Sequence, residues 1–352
     1  MKKGVISKGI KCPIFRQGDD LVELIYNSIK ADGHVFQDKD IIGITESVVA
    51  RTQGNYVTVD DIVQFLEARH FSKYIFLYRP IMSRNRFSLI LKAFARYATK
   101  IHIFVDKEYD EQGNPTFGIN QFTGVNIMDY YTKICTEENC EIAFTSSDVH
   151  KENYMLYIDA RCHPDDKTFC NISLKNIMNE PIIRKDGSKS GFNSQYGLLG
   201  SNKADDETLK LFPNKEETQE LIEKLQQKIK NDTGKNVEVM VYGDGCFKDP
   251  VGGIWEFADP VTTPAYTSGL EGTPNEIKLK AFADGKYKNL SGQELQDAIN
   301  KEIENKNNNL VGNMASQGTT PRRYIDLLAS LMDLTSGSGD RATPVVIVQN
   351  YL

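Results

Sequence analysis

Residues 237–253, VEVMVYGDGCFKDPVGG, limit the possible folds more than any other stretch of the chain. The first part, Val237–Tyr242, alternates β-branched residues and closes on a tyrosine, the pattern of a buried strand. The second part cannot continue a strand or a helix. Four glycines and a proline fall within residues 243–253, so the backbone must turn sharply and can approach another group closely. Asp244 and Asp249 lie in that turn, with Glu256 and Asp259 just beyond. Acidic oxygens at the carboxyl end of a strand, beside flexible backbone, suit a hard cation such as magnesium that also carries phosphate. Asp and Gly also simply build turns, which is the commoner role of any single aspartate here. The density of the cluster, rather than one residue, points to a site.

The bulk numbers narrow the class. A chain of 352 residues is long enough for a sizeable core and two domains or lobes. With 40% hydrophobic and 26% charged residues it has the balance of an ordinary soluble globular protein. A formal charge of -6 gives no electrostatic case for nucleic acid. Lysines near the N-terminus precede no apolar core, so no signal peptide is expected, and no apolar run approaches the ~20 residues of a membrane span. A cytoplasmic location follows as the expectation. The six cysteines include no CxxC pair, and Cys162, His163 and Cys170 do not have zinc-site spacing. The five histidines are scattered and no GxSxG motif is present, which leaves a histidine-centred mechanism unsupported.

Periodicity predicts an alternation of strands and helices. Residues 5–15 read as extended and broken at Cys12-Pro13. A helix follows with Asp19 as N-cap and Leu21, Leu24, Ile25 and Ile29 at helical spacing. Asp40–Thr45 reads as a central strand that runs straight into a helix at Glu46. Residues 58–71 read as a helix in which Thr58 and Asp61 make a capping box. Strands at 73–78 and 101–105 flank a helix led by Arg84 and Arg86. A helix over 124–136 and strands at 141–145 and 154–158 come next. The pattern weakens from Arg161 to Leu199. Helices at 214–230, 275–282, 291–306 (Ser291 with Glu294 as a capping box) and 321–334 follow, then a strand at 344–348. The expected class is α+β, with mixed sheets and flanking helices.

Several places offer phosphate contacts. Ser47 and Arg51 sit at a strand–helix junction, although a capping hydroxyl and a solvated arginine account for them equally well. Arg84 and Arg86 oppose the dipole of their own helix, which hints at an anion, with a surface salt bridge as the plainer reading. The Gly337–Ser338–Gly339–Asp340 loop can form an anion-binding nest but lacks the lysine of a Walker A loop.

The ordered set of these pieces resembles the coenzyme F-420-0:γ-glutamyl ligases. The resemblance is carried by Ile10–Leu21, Asp40–Gly54, Gly200-Ser201-Asn202 ahead of Leu211-Phe212-Pro213, the strand into Asp244, and the end from Asp326 to Val348. It is faint from about Phe71 to Ser190. It implies a two-lobed fold with an enlarged middle region, divided as 1–72 (first part of the ligase core), 73–190 (middle lobe) and 191–352 (second part of the core). It implies an acid–amino acid ligase that adds L-glutamate to a carboxylate through an acyl phosphate, with GTP or ATP and Mg2+ or Mn2+. The acceptor would be a deazaflavin coenzyme precursor, a folate or another small acid, and the chain a homodimer without nucleic-acid or membrane partners. By resemblance, the Cys12, Pro13, Ile14 and Phe15 backbone lines the nucleotide, with Ser47 and Arg51 at its phosphates. Asn202 and the Gly337, Ser338, Gly339 and Asp340 loop contact the nucleotide. Asp244 and Asp249 lie where metal oxygens are needed, and Asp244 and Arg51 serve the chemistry.

Two departures stand out. An aspartate that binds metal in the family falls on Leu199 here, a role Asp186 could fill. An Asp-Thr pair is replaced by Gly243-Asp244-Gly245, and lysine is usual where Arg51 stands. A nucleotide-binding protein without ligase activity and a metal-dependent phosphohydrolase remain open as alternatives. No residue is identified as the base for the attacking amine.

Overall fold

Ile41, Ile42 and Ile44 are completely buried. The strand they build, β2 (Ile41–Thr45), can therefore only be an interior one, covered on both faces. The computed structural model describes residues 4–110, 114–121, 123–147, 152–162, 164, 169–244, 261–274, 279–306, 323–337 and 339–352; for Asp244, Val261, Thr262 and Gly339 it describes the backbone. In sheet A, β2 lies between β13 (Val345–Gln349) and β11 (Glu238–Asp244). β1 (Ile6–Ile10) and β12 (Val261–Tyr266) form the edges. β2 and β11 run parallel and the other neighbours antiparallel. One face packs Ile42, Ile44, Val239 and Val241 against α1 (Leu21–Ala31) and α6 (Lys215–Thr233). The other packs Ile41, Met240 and Tyr242 against Leu328 and Met332 of α9 (Tyr324–Ser336). Gly43 is what allows that second layer: a Cβ there would lie 2.1 Å from Met332 Sδ. Buried Asp40 ties the two ends of the chain together. It accepts hydrogen bonds from Gln37 N (2.9 Å) and Gln349 Nε2 (3.0 Å), and His34 Nε2 lies 2.9 Å from it.

Sheet C has a different character. Its strands are β4 (Tyr74–Tyr78), β5 (Lys100–Phe104), β6 (Glu141–Thr145), β7 (Leu156–Asp159) and β8 (Ile172–Ser173). All are parallel, in the spatial order β6-β5-β4-β7-β8. That is the doubly wound order, which reverses direction between β4 and β7. α4 (Asn85–Tyr97) and α5 (Ile127–Glu137) cover one face, with Phe94, Leu91 and Tyr131 over Ile75, Leu77, Ile101 and Ile103. The opposite face carries the aromatic cluster Phe76, Phe104 and Tyr157.

Between A and C stands sheet B, order β3-β10-β9, made of β3 (Tyr56–Thr58), β9 (Ser201–Lys203) and β10 (Thr208–Leu211). Val57, Leu209 and Leu211 belong to the same core as sheet C. α2 (Glu46–Gln53) leads directly from β2 of sheet A to β3 of sheet B. α3 (Val59–Ala68) then packs on α4.

The class is α+β, as expected. The Thr58–Asp61 capping box forms, with Asp61 N donating to Thr58 Oγ1 (3.0 Å) and Thr58 N to Asp61 (2.9 Å). Two caps differ from expectation. Asp20, not Asp19, caps α1 by accepting from Glu23 N, because the Asp19 carboxylate is taken by Arg16 N in the preceding turn. Ser291 precedes α8 (Gly292–Asn305) without a side-chain cap hydrogen bond, so the Ser291–Glu294 box does not form. Where a helix over 275–282 is predicted, residues 275–278 lie outside the described set. A three-residue α7 (Leu279–Ala281) then passes into a π-turn, Phe282–Lys286.

Candidate active site

The pairing of sheet A brings distant segments to one edge. Ile10, Val345, Ile44 and Val241 form a single row across four strands, and Ala265 continues it on β12. Everything just past that row opens on the same side: the exit of β1 at Cys12, the approach to β13 through residues 337–344, the start of α2, and the carboxyl end of β11 at Asp244. Hydrogen bonds tie these pieces together. Cys12 N donates to Ala342 O (3.0 Å) and Thr45 N to Pro344 O (2.9 Å). Gly337 (φ 62°) and Ala342 (φ 55°) both have positive φ, the first easily adopted by glycine and the second at a cost for alanine.

Glu46, the first residue of α2, is 3% exposed and lies across the end of β11. A Cβ on Gly243 would sit 2.0 Å from Glu46 Cγ, so this strand position must be glycine for the acid to lie against the end of β11. Sheet B reaches the same place. Asn202 of β9 donates through Nδ2 to Glu46 Oε1 at 2.8 Å. Lys210 is the cross-strand partner of Asn202, and its ammonium donates to Ser47 Oγ. The result is a chain of polar groups, Glu46–Asn202 and Ser47–Lys210, at the amino end of a helix whose free N–H groups and dipole favour negative charge.

Of the residues singled out from sequence, Cys12, Gly337, the backbone of Gly339, Asp340, Ser47, Asn202 and the backbone of Asp244 come together at this edge. Arg51 lies one helical turn after Ser47, exposed. Pro13 and Ile14 follow Cys12 on the surface, Ile14 being 79% exposed, whereas the Phe15 side chain turns into the core of sheet A. Burial pushes the Cys12 thiol up to about 11, which keeps it protonated at neutral pH and unsuited to nucleophilic work. Asp249 and Ser338, with Glu256 and Asp259, lie outside the described residues. Asp186 sits in an exposed turn where its carboxylate accepts from the hydroxyl and backbone N–H of Ser188, and those hydrogen bonds hold it below the usual carboxylate range. Leu199 packs on the core that sheets B and C share. Arg86 is 7% exposed and directs its guanidinium to Ser201 O (3.4 Å), where a surface salt bridge was the plainer expectation.

Glu46 and Lys210 are the residues that sequence reasoning passed over. Glu46 reads locally as an ordinary first-turn acid, and Lys210 gains meaning only once β10 is paired with β9.

The Glu46 carboxylate, set against the strand end that carries Asp244, is a hard oxygen donor of the kind Mg2+ or Mn2+ takes. Among the described residues no three His, Cys, Asp or Glu side chains gather into a metal cluster.

These features define an α+β protein in which a buried acid at a strand end and a lysine donating to the start of a helix meet at one mouth. The chain belongs to the F420-0:Gamma-glutamyl ligase family, whose sequence model matches residues 9–350. Membership places it among enzymes of the γ-glutamyl ligase type. No curated protein matches it. No helix of the described residues is long and apolar enough to cross a membrane.

Proposed function

We propose that the chain is a nucleotide-dependent acid–amino acid ligase that joins L-glutamate to a carboxylate acceptor, with its site at the shared edge of sheets A and B. One observation carries this reading most of the way: the Cys12 loop, the start of α2, the approach to β13 at Ala342 and the end of β11 are delivered to one edge by strand pairing, and Asn202 and Lys210 reach the same edge from a second sheet. GTP or ATP is the proposed co-substrate.

In the proposed reaction an acceptor carboxylate oxygen attacks the γ-phosphorus. An acyl phosphate forms and the nucleoside diphosphate leaves. The glutamate nitrogen then attacks the acyl carbon, inorganic phosphate leaves, and the nitrogen gives up a proton as the amide forms. Lys210, Ser47 and the α2 amino end hold phosphate oxygens and offset their charge, the main contribution a protein makes to phosphoryl transfer. Arg51 stands one turn further along as a second cation for phosphate or carboxylate. Asn202 fixes the Glu46 carboxylate. Glu46 and Asp244, with Asp249, would hold Mg2+ or Mn2+, whose positive charge would offset the charge of the phosphates.

The proposed acceptor is a small acid such as a deazaflavin coenzyme precursor or a folate, the proposed assembly a homodimer, and the proposed location the cytoplasm. The segments 1–72 and 191–352 would form the ligase core and 73–190 the added lobe. The experiment that tests the reading measures phosphate release from GTP and ATP with Mg2+ or Mn2+, with and without glutamate, in a cellular small-molecule extract. Mass spectrometry then looks for a compound heavier by one glutamyl unit. A glutamate-dependent product is expected. Phosphate release indifferent to glutamate would indicate a hydrolase instead, and nucleotide binding without turnover a binding protein.

A further inference from the structure

We propose that the carboxyl edge of sheet C is a second small-molecule site, built for a free α-amino acid in its zwitterionic form. The inference stands apart from the ligase reading, since it uses none of the residues at the sheet A edge.

Three independent features meet at the end of β4. Topology is the first. In open parallel sheets, ligands bind outside the carboxyl ends of the strands, and the cavity lies over two such ends, those of β4 and β5, one strand over from the β4–β7 reversal of strand order. The second is backbone strain. Arg79, the residue that leaves β4, has φ 46°, a conformation that a non-glycine residue adopts at a cost and that concentrates at binding sites. The third is a cavity of about 220 Å3 over the ends of β4 and β5, bounded on one side by Arg79–Ile81 and on the other by the loop that follows β5.

Size and chemistry select the ligand. The cavity of about 220 Å3 has room for an amino acid. The turn after β4 reads RPIMSR, with no glycine to bring backbone against a pyrophosphate as dinucleotide sites require. Charge of both signs lines the cavity. Arg79 is held in a fork by Asp106 (Nε to Oδ1 2.7 Å), and both side chains keep partial exposure, 30% and 25%. Lys107 and Asp110 continue the same wall. Asp110 is fixed by Ser83 Oγ and by Asn114 N (3.0 Å), and the buried Thr116 hydroxyl pins the loop through the Lys107 and Glu108 carbonyls. Two cations and two carboxylates on one rigid surface complement a carboxylate and an ammonium presented together. A simple anion would meet the aspartates, and a simple amine the arginine.

Calorimetric titration of the full chain with L-amino acids one at a time, glutamate among them, tests the proposal. Glutarate and N-acetyl-L-glutamate, which lack the ammonium group, serve as controls. The expected result is binding of at least one amino acid that weakens tenfold or more in Lys107→Glu, an exposed position, and in Asp106→Asn, while Asp244→Asn leaves it unchanged. The controls should bind at least tenfold more weakly. The proposal is overturned if no amino acid binds, if Lys107→Glu binds as tightly as the parent protein, or if glutarate binds as well as the amino acid.

Discussion

At the edge of sheet C, each arginine beside Tyr78 is neutralised from close by. Arg79 pairs with Asp106 at the end of the neighbouring strand, and Arg161 with Asp159 two residues before it. At the edge of sheet A the polar groups come from different sheets and from positions far apart in sequence: Glu46 meets Asn202 across 156 residues and Ser47 meets Lys210 across 163. The first edge is charged but internally balanced, the arrangement suited to holding a ligand that carries both signs. The second sets Glu46 against a strand end and Lys210 against a helix amino end, the separation of charge that the proposed phosphate and its counter-ion would require. Parallel strands ending in loops are common to both edges. What distinguishes them is where the partner of each charge comes from.

Substitutions can break this distinction. The largest effect is expected for Asp244→Asn, which should lower glutamate-dependent turnover by about 10²–10³-fold while thermal unfolding stays near that of the parent protein. Undiminished turnover would remove Asp244 from the mechanism. Gly243→Val should force Glu46 aside, costing about 1–3 kcal/mol of stability in chemical denaturation together with most of the activity. Lys210→Met should weaken nucleotide binding by roughly 10–100-fold, with Lys210→Arg recovering part of it, as fits loss of a charge-assisted contact. Equal affinity in the Met variant would reduce Lys210 to a strut between sheets.

A further effect, on stability alone, concerns a position away from both edges. Burial works against ionisation of Asp61, yet the Arg184 fork (2.9 and 2.8 Å) and the Thr58 N–H outweigh it and hold the carboxyl below its usual range. A depressed folded-state value means that this stabilisation is present above the unfolded value of about 3.9 and is lost as pH falls through the lower folded value. Asp61→Asn should therefore cost about 1–3 kcal/mol at pH 7, with a shrinking difference from the parent below about pH 4, measured by urea unfolding at both pH values. A constant difference across that range would mean that the ion pair is not its source.

Local patterns in the sequence reveal a good part of this. The β2–α2 junction, the Thr58–Asp61 box and the long α6 follow from alternation, capping residues and helical spacing, all of which act within a few residues. The strands β3 and β9, at three residues each, and β10, at four, are too short for a period to show. They exist because sheet pairing and the shared core select them. The doubly wound order of sheet C depends on which strand lies beside which, and that is fixed by packing rather than by any one segment. The same limit governs the site. Asp244 and Ser47 can be singled out by residue type and position, and Asn202 through the family resemblance. Gly243 is visible as a turn residue, but its need to be glycine depends on Glu46, whose contact arises from a pairing between strands about 200 residues apart.

A crystal of the protein grown with Mn2+ and a nonhydrolysable nucleoside triphosphate would test the central claim most directly, because anomalous scattering locates the metal without reference to any residue. The account predicts a manganese peak about 2.0–2.6 Å from carboxylate oxygens of Asp244, Glu46 or both, with the phosphates toward Lys210 and Ser47. A peak at the sheet C edge, or nucleotide bound there instead, would contradict it.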